Sequence, residues 1–192
     1  MNTTAPGKQM LMVVGIIGVI FSSLGLVGGL VGLAFFPMLG ALGFTSEIPG
    51  WSMVIISTVI ALLFTVFFLY AYIMAIANAA KLEKAIFLKK LGIISVVVVV
   101  ISTIIDFIVT LVTTPAIMEY SMNMVERELA TAGLTAYEMA FFTQSMEMVN
   151  SFASAGVTVG FIFGLLVGLV LPVLYIVGAS KNVKAFEESK YS

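Results

Sequence analysis

The sequence predicts an all-α integral membrane protein with four transmembrane helices, and three observations support this class. Hydrophobic residues make up 61% of the 192 residues and charged residues 10%, whereas soluble domains contain about 45–50% apolar and about 25% charged residues. The mean hydropathy is +1.18. Four stretches also reach the length of about 20 apolar residues that a helix needs to cross the hydrocarbon core. We therefore expect a single transmembrane four-helix bundle over residues 1–192.

The four predicted spans are bounded by residues that commonly end membrane helices. The spans lie at about 10–36, 52–80, 91–114 and 152–179. Pro37 follows the first span and Pro115 the third, while Lys81 and Lys181 follow the second and fourth. Proline removes a backbone hydrogen bond, and a lysine charge is disfavoured in the apolar core. Each span is therefore expected to end near one of these four residues.

The lysine residues predict the orientation in the membrane. Eight lysines flank the spans on one side, and Arg127 is the one basic residue on the other. Because basic residues accumulate in cytoplasmic loops, we expect both termini in the cytoplasm and segments 37–51 and 115–151 outside. The absence of cysteine favours the plasma (cytoplasmic) membrane of a prokaryote, because extracellular loops without disulfides are then unremarkable.

The outer segment 115–151 is predicted to be helical. Apolar residues recur at helical spacing from Met118 to Leu129, and Thr135 with Glu138 matches a capping box. Helices 3 and 4 are therefore expected to extend beyond the bilayer as an acidic, Met-rich helical hairpin with its tip near Gly133. Thioethers bind Cu(I), but methionine more often fills apolar surfaces, so the sequence predicts packing or partner contact here and no metal site.

Two helices carry seams of small residues that allow a second helix to approach closely. The first span repeats small residues at alternating steps of three and four, at Gly15, Gly18, Ser22, Gly25, Gly29 and Gly32. The fourth span contains overlapping GxxxG units at Gly156, Gly160, Gly164 and Gly168. Both seams serve either packing within one chain or contact with a second copy or another subunit. The sequence leaves these alternatives open.

Asp106 is the one charged residue inside a predicted span. An acid at bilayer depth costs about 2.5–3.5 kcal/mol on insertion scales and marks a functional site by default. Hydroxyl side chains predicted near the same depth complete an intramembrane polar site, namely Ser102, Thr103, Thr110, Ser57, Thr58 and Thr158. Three roles are consistent with this pattern: a proton- or cation-binding carboxylate, a neutral carboxyl bonded to hydroxyls, and a group that pairs with a base of a partner.

The composition excludes many catalytic and cofactor sites. The chain contains no histidine and no cysteine, so thiolate or imidazole metal sites, haem ligation by histidine and Ser-His-Asp triads cannot form. A net charge of −1 offers no basic face to nucleic acid. We expect no catalytic residue and no cofactor.

The layout resembles that of tetraspanins in outline, with a short first outer loop, a longer helical second one and both termini inside. The Cys-Cys-Gly motif of that family is absent because the chain has no cysteine, so no family is assigned. The expected function is that of a non-catalytic accessory or scaffold subunit of a membrane complex. The alternative is a small homo-oligomeric channel or transporter with Asp106 as its proton or cation site.

Overall fold

A computed structural model describes residues 5–41, 50–131 and 136–191 of the chain. In these ranges the protein consists of four long α-helices and one short 3-10 turn, without β-strands. Helix α1 is Lys8–Ala41, α2 is Trp51–Asn78, α3 is Ala85–Thr131 and α4 is Ala136–Glu188, and the 3-10 turn Leu82–Lys84 joins α2 to α3. The predicted all-α class is confirmed.

In the described ranges, four segments are long and apolar enough to cross a membrane, one for each helix, and the third of them begins in the 3-10 turn. These candidate spans are Lys8–Met38, Trp51–Asn78, Leu82–Arg127 and Ala155–Glu188. The four segments predicted from the sequence fall in these four helices, one in each. Few polar side chains interrupt them, so a helix, which satisfies its own backbone hydrogen bonds, is the conformation that an apolar environment allows.

Three helices continue through the residues that follow the predicted spans. Helix α1 passes through Pro37 and α3 through Pro115, and α4 runs beyond Lys181 to Glu188. A helix can continue beyond the apolar part of a membrane, as was expected of the third and fourth, so the span ends at these residues stay predictions. Both proline rings lie on exposed faces of their helices, where no neighbouring helix is displaced by a local bend. The lysine interrupts no backbone hydrogen bond and lies exposed at the surface.

The segments on either side of residues 132–135 are helical, as expected for the hairpin. Helix α3 includes residues 115–131, and α4 begins at Ala136. Gly133 and Thr135, the predicted tip and helix cap, lie outside the described residues. Whether the hairpin lies beyond the bilayer remains a prediction.

The helices pack antiparallel in two main pairs, α1 with α2 and α3 with α4, and the pairs meet through α2–α3 and α1–α4 contacts. Along the first pair, Gly15 lies near Ile76, whereas Gly29 lies near Leu62. Along the second pair, Gly92 lies near Tyr175, and Phe107 lies against Phe161. In both pairs the numbering rises on one helix as it falls on the other.

The buried core is concentrated at one end of the bundle, where α1 and α3 begin and α2 and α4 end. We call this the lysine-rich end, because Lys8, Lys81, Lys84, Lys89, Lys90, Lys181, Lys184 and Lys190 all lie there. Leu11, Ala75, Leu88 and Tyr175 are almost fully buried in its core. At the opposite end, which we call the hairpin end, many large apolar side chains are exposed, including Leu30 and Phe163.

Asn182 links three parts of the chain at the lysine-rich end. Its side chain is fully buried, at 0% exposure. The amide oxygen Oδ1 accepts a hydrogen bond from the backbone N–H of Gly7 at 2.6 Å, and Nδ2 donates to the carbonyl of Ala79 at 3.0 Å. Tyr175 adds a bond from its hydroxyl to the carbonyl of Ala71 at 3.4 Å. Polar bonds thus tie α4 to α2 and to the residue that precedes α1.

Candidate functional site

A groove of about 410 Å³ lies between α3 and α4, on the hairpin side of the core. Helix α3 contributes three residues one turn apart and α4 contributes three glycines at four-residue spacing. The lining residues used below are Thr103, Asp106, Phe107 and Thr110 of α3 and Gly156, Gly160, Phe161 and Gly164 of α4. Asp106 and the glycine seam of the fourth helix therefore meet in one place.

The glycines create the groove because they leave the α4 backbone uncovered. A Cβ atom placed on Gly156, Gly160 or Gly164 would have no other atom within 4 Å. Nearby, the rings of Phe107 and Phe161 lie with their centroids 4.4 Å apart and hold the two helices together. The helices are thus joined beside the groove, and the groove itself stays open.

Asp106 is exposed in this groove. In the described ranges its carboxyl group has no hydrogen-bond or ion-pair partner. The neighbouring hydroxyls are already engaged: Thr103 donates to the carbonyl of Val99 at 2.8 Å, and Thr110 donates to the backbone carbonyl of Asp106 at 2.6 Å. A carboxylate here therefore receives no hydrogen bond from them. The hypothesis of a neutral carboxyl that is bonded to nearby hydroxyls finds no support in this geometry.

The other residues of the predicted polar site do not line the groove. Ser57 and Thr58 both donate to the carbonyl of Val54 on α2, and Ser102 donates to Val99 on α3. Thr158 is exposed on α4. Equal depth did not bring these four side chains to Asp106, because depth along a helix does not determine which face of the helix a side chain lies on.

The first glycine seam packs against α2. A Cβ atom on Gly15, Gly18 or Gly29 would overlap side chains of α2, and one on Gly25 would touch Thr65 at 3.5 Å, whereas one on Gly32 would meet nothing within 4 Å. On α4, Gly168 alone of its seam has a close neighbour, Val99 at 3.1 Å. The α1 seam is thus largely used inside the chain, and the α4 seam is largely free.

The aromatic pair beside the groove was not anticipated. Phe107 follows Asp106 directly, and Phe161 follows Gly160 directly. A phenylalanine directly after a groove-lining residue is the one sequence signal that points to this aromatic pair. That signal does not show which rings meet. Asp106 is the one acid that lines the groove, so the groove offers a single carboxylate to a cation or a base.

Comparison with protein-family models, with curated proteins and with solved structures finds no match to this chain. The residues of the groove are therefore the basis on which a function is proposed.

Proposed function

We propose that the protein is a non-catalytic accessory subunit of a membrane complex, and that the groove between α3 and α4 receives a transmembrane helix of another subunit. The observation that carries this proposal is the unpartnered carboxyl group of Asp106 beside the uncovered glycines of α4. Small residues allow close approach of a helix, and an intramembrane acid is normally paired. A partner helix with a lysine or arginine at the depth of Asp106 satisfies both requirements.

The sequence itself argues that the partner is a different polypeptide. No lysine or arginine lies between Lys8 and Lys81, between Lys90 and Arg127, or between Arg127 and Lys181. A second copy of this chain therefore has no base to place at the depth of Asp106. A homodimer through the groove would leave the acid unpaired at a cost of about 2.5–3.5 kcal/mol.

The topology completes the proposal. The four candidate spans lie in a prokaryotic plasma membrane with the lysine-rich end in the cytoplasm, which the asymmetry of the lysines supports. The acidic ends of α3 and α4 then face outwards, and the exposed Met124 and Met148 add an adaptable apolar surface for the same partner.

Replacing Asp106 with asparagine is expected to weaken partner binding about ten- to hundredfold, because a charged hydrogen bond is lost. The complex is extracted from native membranes in mild detergent, and partner retention is titrated by dilution. Asp106→Glu keeps the charge and should retain most of the partner. A photo-reactive residue at position 103 should cross-link to a helix that carries a lysine or arginine. Cross-links to a second copy of this chain alone would contradict the proposal.

Replacing Gly160 with leucine is expected to abolish partner binding while the fold is kept. A Cβ atom at this position meets no other atom within 4 Å, so the side chain occupies the groove without displacing the protein. Gly32→Leu is the matched control, because Gly32 also has open space but lies on α1. The measurement is partner retention together with the thermal unfolding midpoint. Equal partner retention by the two variants would exclude the groove as the interface.

The alternative function is a homo-oligomeric channel or transporter with Asp106 as a proton or cation site. Asp106, Thr103 and Thr110 lie on one face of α3 in the groove, which is the observation that favours it. The groove opens at the surface of the chain, so a path for ions requires several copies. A closed ring of identical chains after extraction, together with loss of ion flux in Asp106→Asn, would favour this alternative over the accessory subunit.

A further inference from the structure

A second cavity, of about 240 Å³, lies where all four helices meet. Helix α1 contributes Ser22 and Gly25, α2 contributes Phe68 and Tyr72, and Gly168 of α4 lies on the opposite wall. Its size suits one ring-sized group or a few water molecules. This cavity is separate from the Asp106 groove, since the two share no lining residue.

Two hydroxyl groups in this cavity lack partners. Tyr72 is 5% exposed and Ser22 is 8% exposed. Among the described residues no atom forms a hydrogen bond with either hydroxyl, and neither oxygen is completely enclosed by protein atoms. Both oxygens are therefore accessible, and both residues line the cavity. A buried hydroxyl without a partner costs about 1–3 kcal/mol, so a bound molecule that accepts these hydrogen bonds would be stabilised.

The rest of the lining defines what that molecule is. No charged side chain lines the cavity, so the ligand is uncharged. The rings of Phe21, Phe68 and Tyr72 line the cavity, and such an aromatic lining favours a flat ring. Phe21 and Gly25 line the cavity and are exposed, so it is open to the apolar surface of the bundle, and a ligand enters from the lipid.

We infer that this cavity binds the head of an uncharged, ring-bearing lipid with carbonyl oxygens, the chemistry of a membrane quinone. Ser22 and Tyr72 donate hydrogen bonds to a carbonyl oxygen, and the ring lies among Phe21, Phe68 and the glycines. A lipid tail leaves the cavity past Gly25. Binding requires no change in the redox state of the ligand.

The test is saturation binding of a radiolabelled decyl-substituted benzoquinone to the full chain in phosphatidylcholine nanodiscs, with empty nanodiscs subtracted. Tyr72→Phe and Ser22→Ala should each weaken binding about three- to tenfold, the effect of one hydrogen bond. Gly25→Leu, which fills the mouth of the cavity, should abolish binding. Its Cβ atom would make only an ordinary contact with Thr65, so the variant should fold.

Two substitutions of neighbouring residues, Tyr70→Phe and Ser23→Ala, serve as controls. The side chains of Tyr70 and Ser23 are exposed, so both variants should bind the quinone as the natural sequence does. Decanol, which has the tail without the ring, should compete poorly. Three outcomes would overturn the inference. They are no saturable binding above that of empty nanodiscs, binding by Tyr72→Phe and Ser22→Ala that equals binding by the natural sequence, and full competition by decanol. The last would identify a cavity for alkyl chains alone.

Discussion

Replacing Asn182 with alanine is expected to lower the free energy of unfolding by about 2–4 kcal/mol, because two buried backbone groups lose their partners at once. Asn182 is fully buried, accepts from the N–H of Gly7 and donates to the carbonyl of Ala79. A Cβ atom on Gly7 would overlap the carbonyl oxygen of Gly178. The N-terminal residues thus lie directly against α4. Equilibrium unfolding in detergent micelles of increasing SDS fraction measures the change.

Asn78→Ala is the matched control for this prediction. Asn78 is also buried at the lysine-rich end. Its amide, however, donates to Met74 of its own helix and accepts from Lys81 at 3.3 Å. Its loss removes bonds within one stretch of chain and none between distant helices, so a smaller effect is expected. Equal destabilisation by the two substitutions would show that Asn182 is not a specific link between helices.

Alanine substitutions along the α1 seam are expected to change stability in opposite directions at its two ends. A Cβ atom at Gly18 would overlap the ring of Tyr72. That ring is held between Phe68 and Tyr175, so it cannot turn aside. Overpacking of this kind costs about 1–3 kcal/mol. At Gly32 a Cβ atom meets nothing within 4 Å, and the higher helix propensity of alanine contributes about 0.5–1 kcal/mol of stability.

The same unfolding measurement distinguishes the two sites. Gly18→Ala should unfold at a lower SDS fraction than the natural sequence, and Gly32→Ala at an equal or higher fraction. If both substitutions destabilise equally, then the seam is a continuous packing surface, and Gly32 contacts a neighbour that the isolated chain lacks. If neither substitution destabilises the protein, then α1 does not approach α2 closely at Tyr72.

The helices were predictable because their cause is local. Long apolar stretches form helices whatever their neighbours are, since a helix is the conformation that satisfies the backbone within a single segment without water. The helices continue through Pro37 and Pro115, which follow predicted spans. Proline removes one backbone hydrogen bond and crowds the carbonyl four residues earlier, but the sequence does not show that these rings lie on exposed faces, where a bend displaces no neighbouring helix.

The candidate site was predictable only in part. Asp106 and the α4 glycines were recognisable singly, because an acid and a four-residue glycine repeat are each unusual in an apolar helix. Their juxtaposition depends on how α3 and α4 are rotated about their axes. Depth along the helix, the quantity that the sequence gives, does not determine rotation, so Ser57, Thr58 and Thr158 were grouped with Asp106 although they do not line its groove.

Residues that act across the bundle left no such signal. Asn182 is a single amide in a mixed-charge segment, and Tyr72 and Ser22 resemble many other hydroxyl residues of the chain. Asn182 matters because it is buried and its partners lie more than 100 positions away. Tyr72 and Ser22 matter because they are buried and their hydroxyls have no partner among the described residues. A single sequence does not indicate which distant residues share a cavity.

The uneven placement of polar links has a consequence for the motion of the bundle. Three hydrogen bonds between distant residues, Gly7–Asn182, Asn182–Ala79 and Tyr175–Ala71, lie at the lysine-rich end, together with the buried core. Towards the hairpin end many large apolar side chains of the described residues are exposed, and regions with few buried contacts open at the lowest free energy. We therefore expect fluctuations to begin at the hairpin end and to fade towards Asn182. If the groove receives a partner helix as proposed, α3 and α4 would separate there while the lysine-rich end keeps its packing.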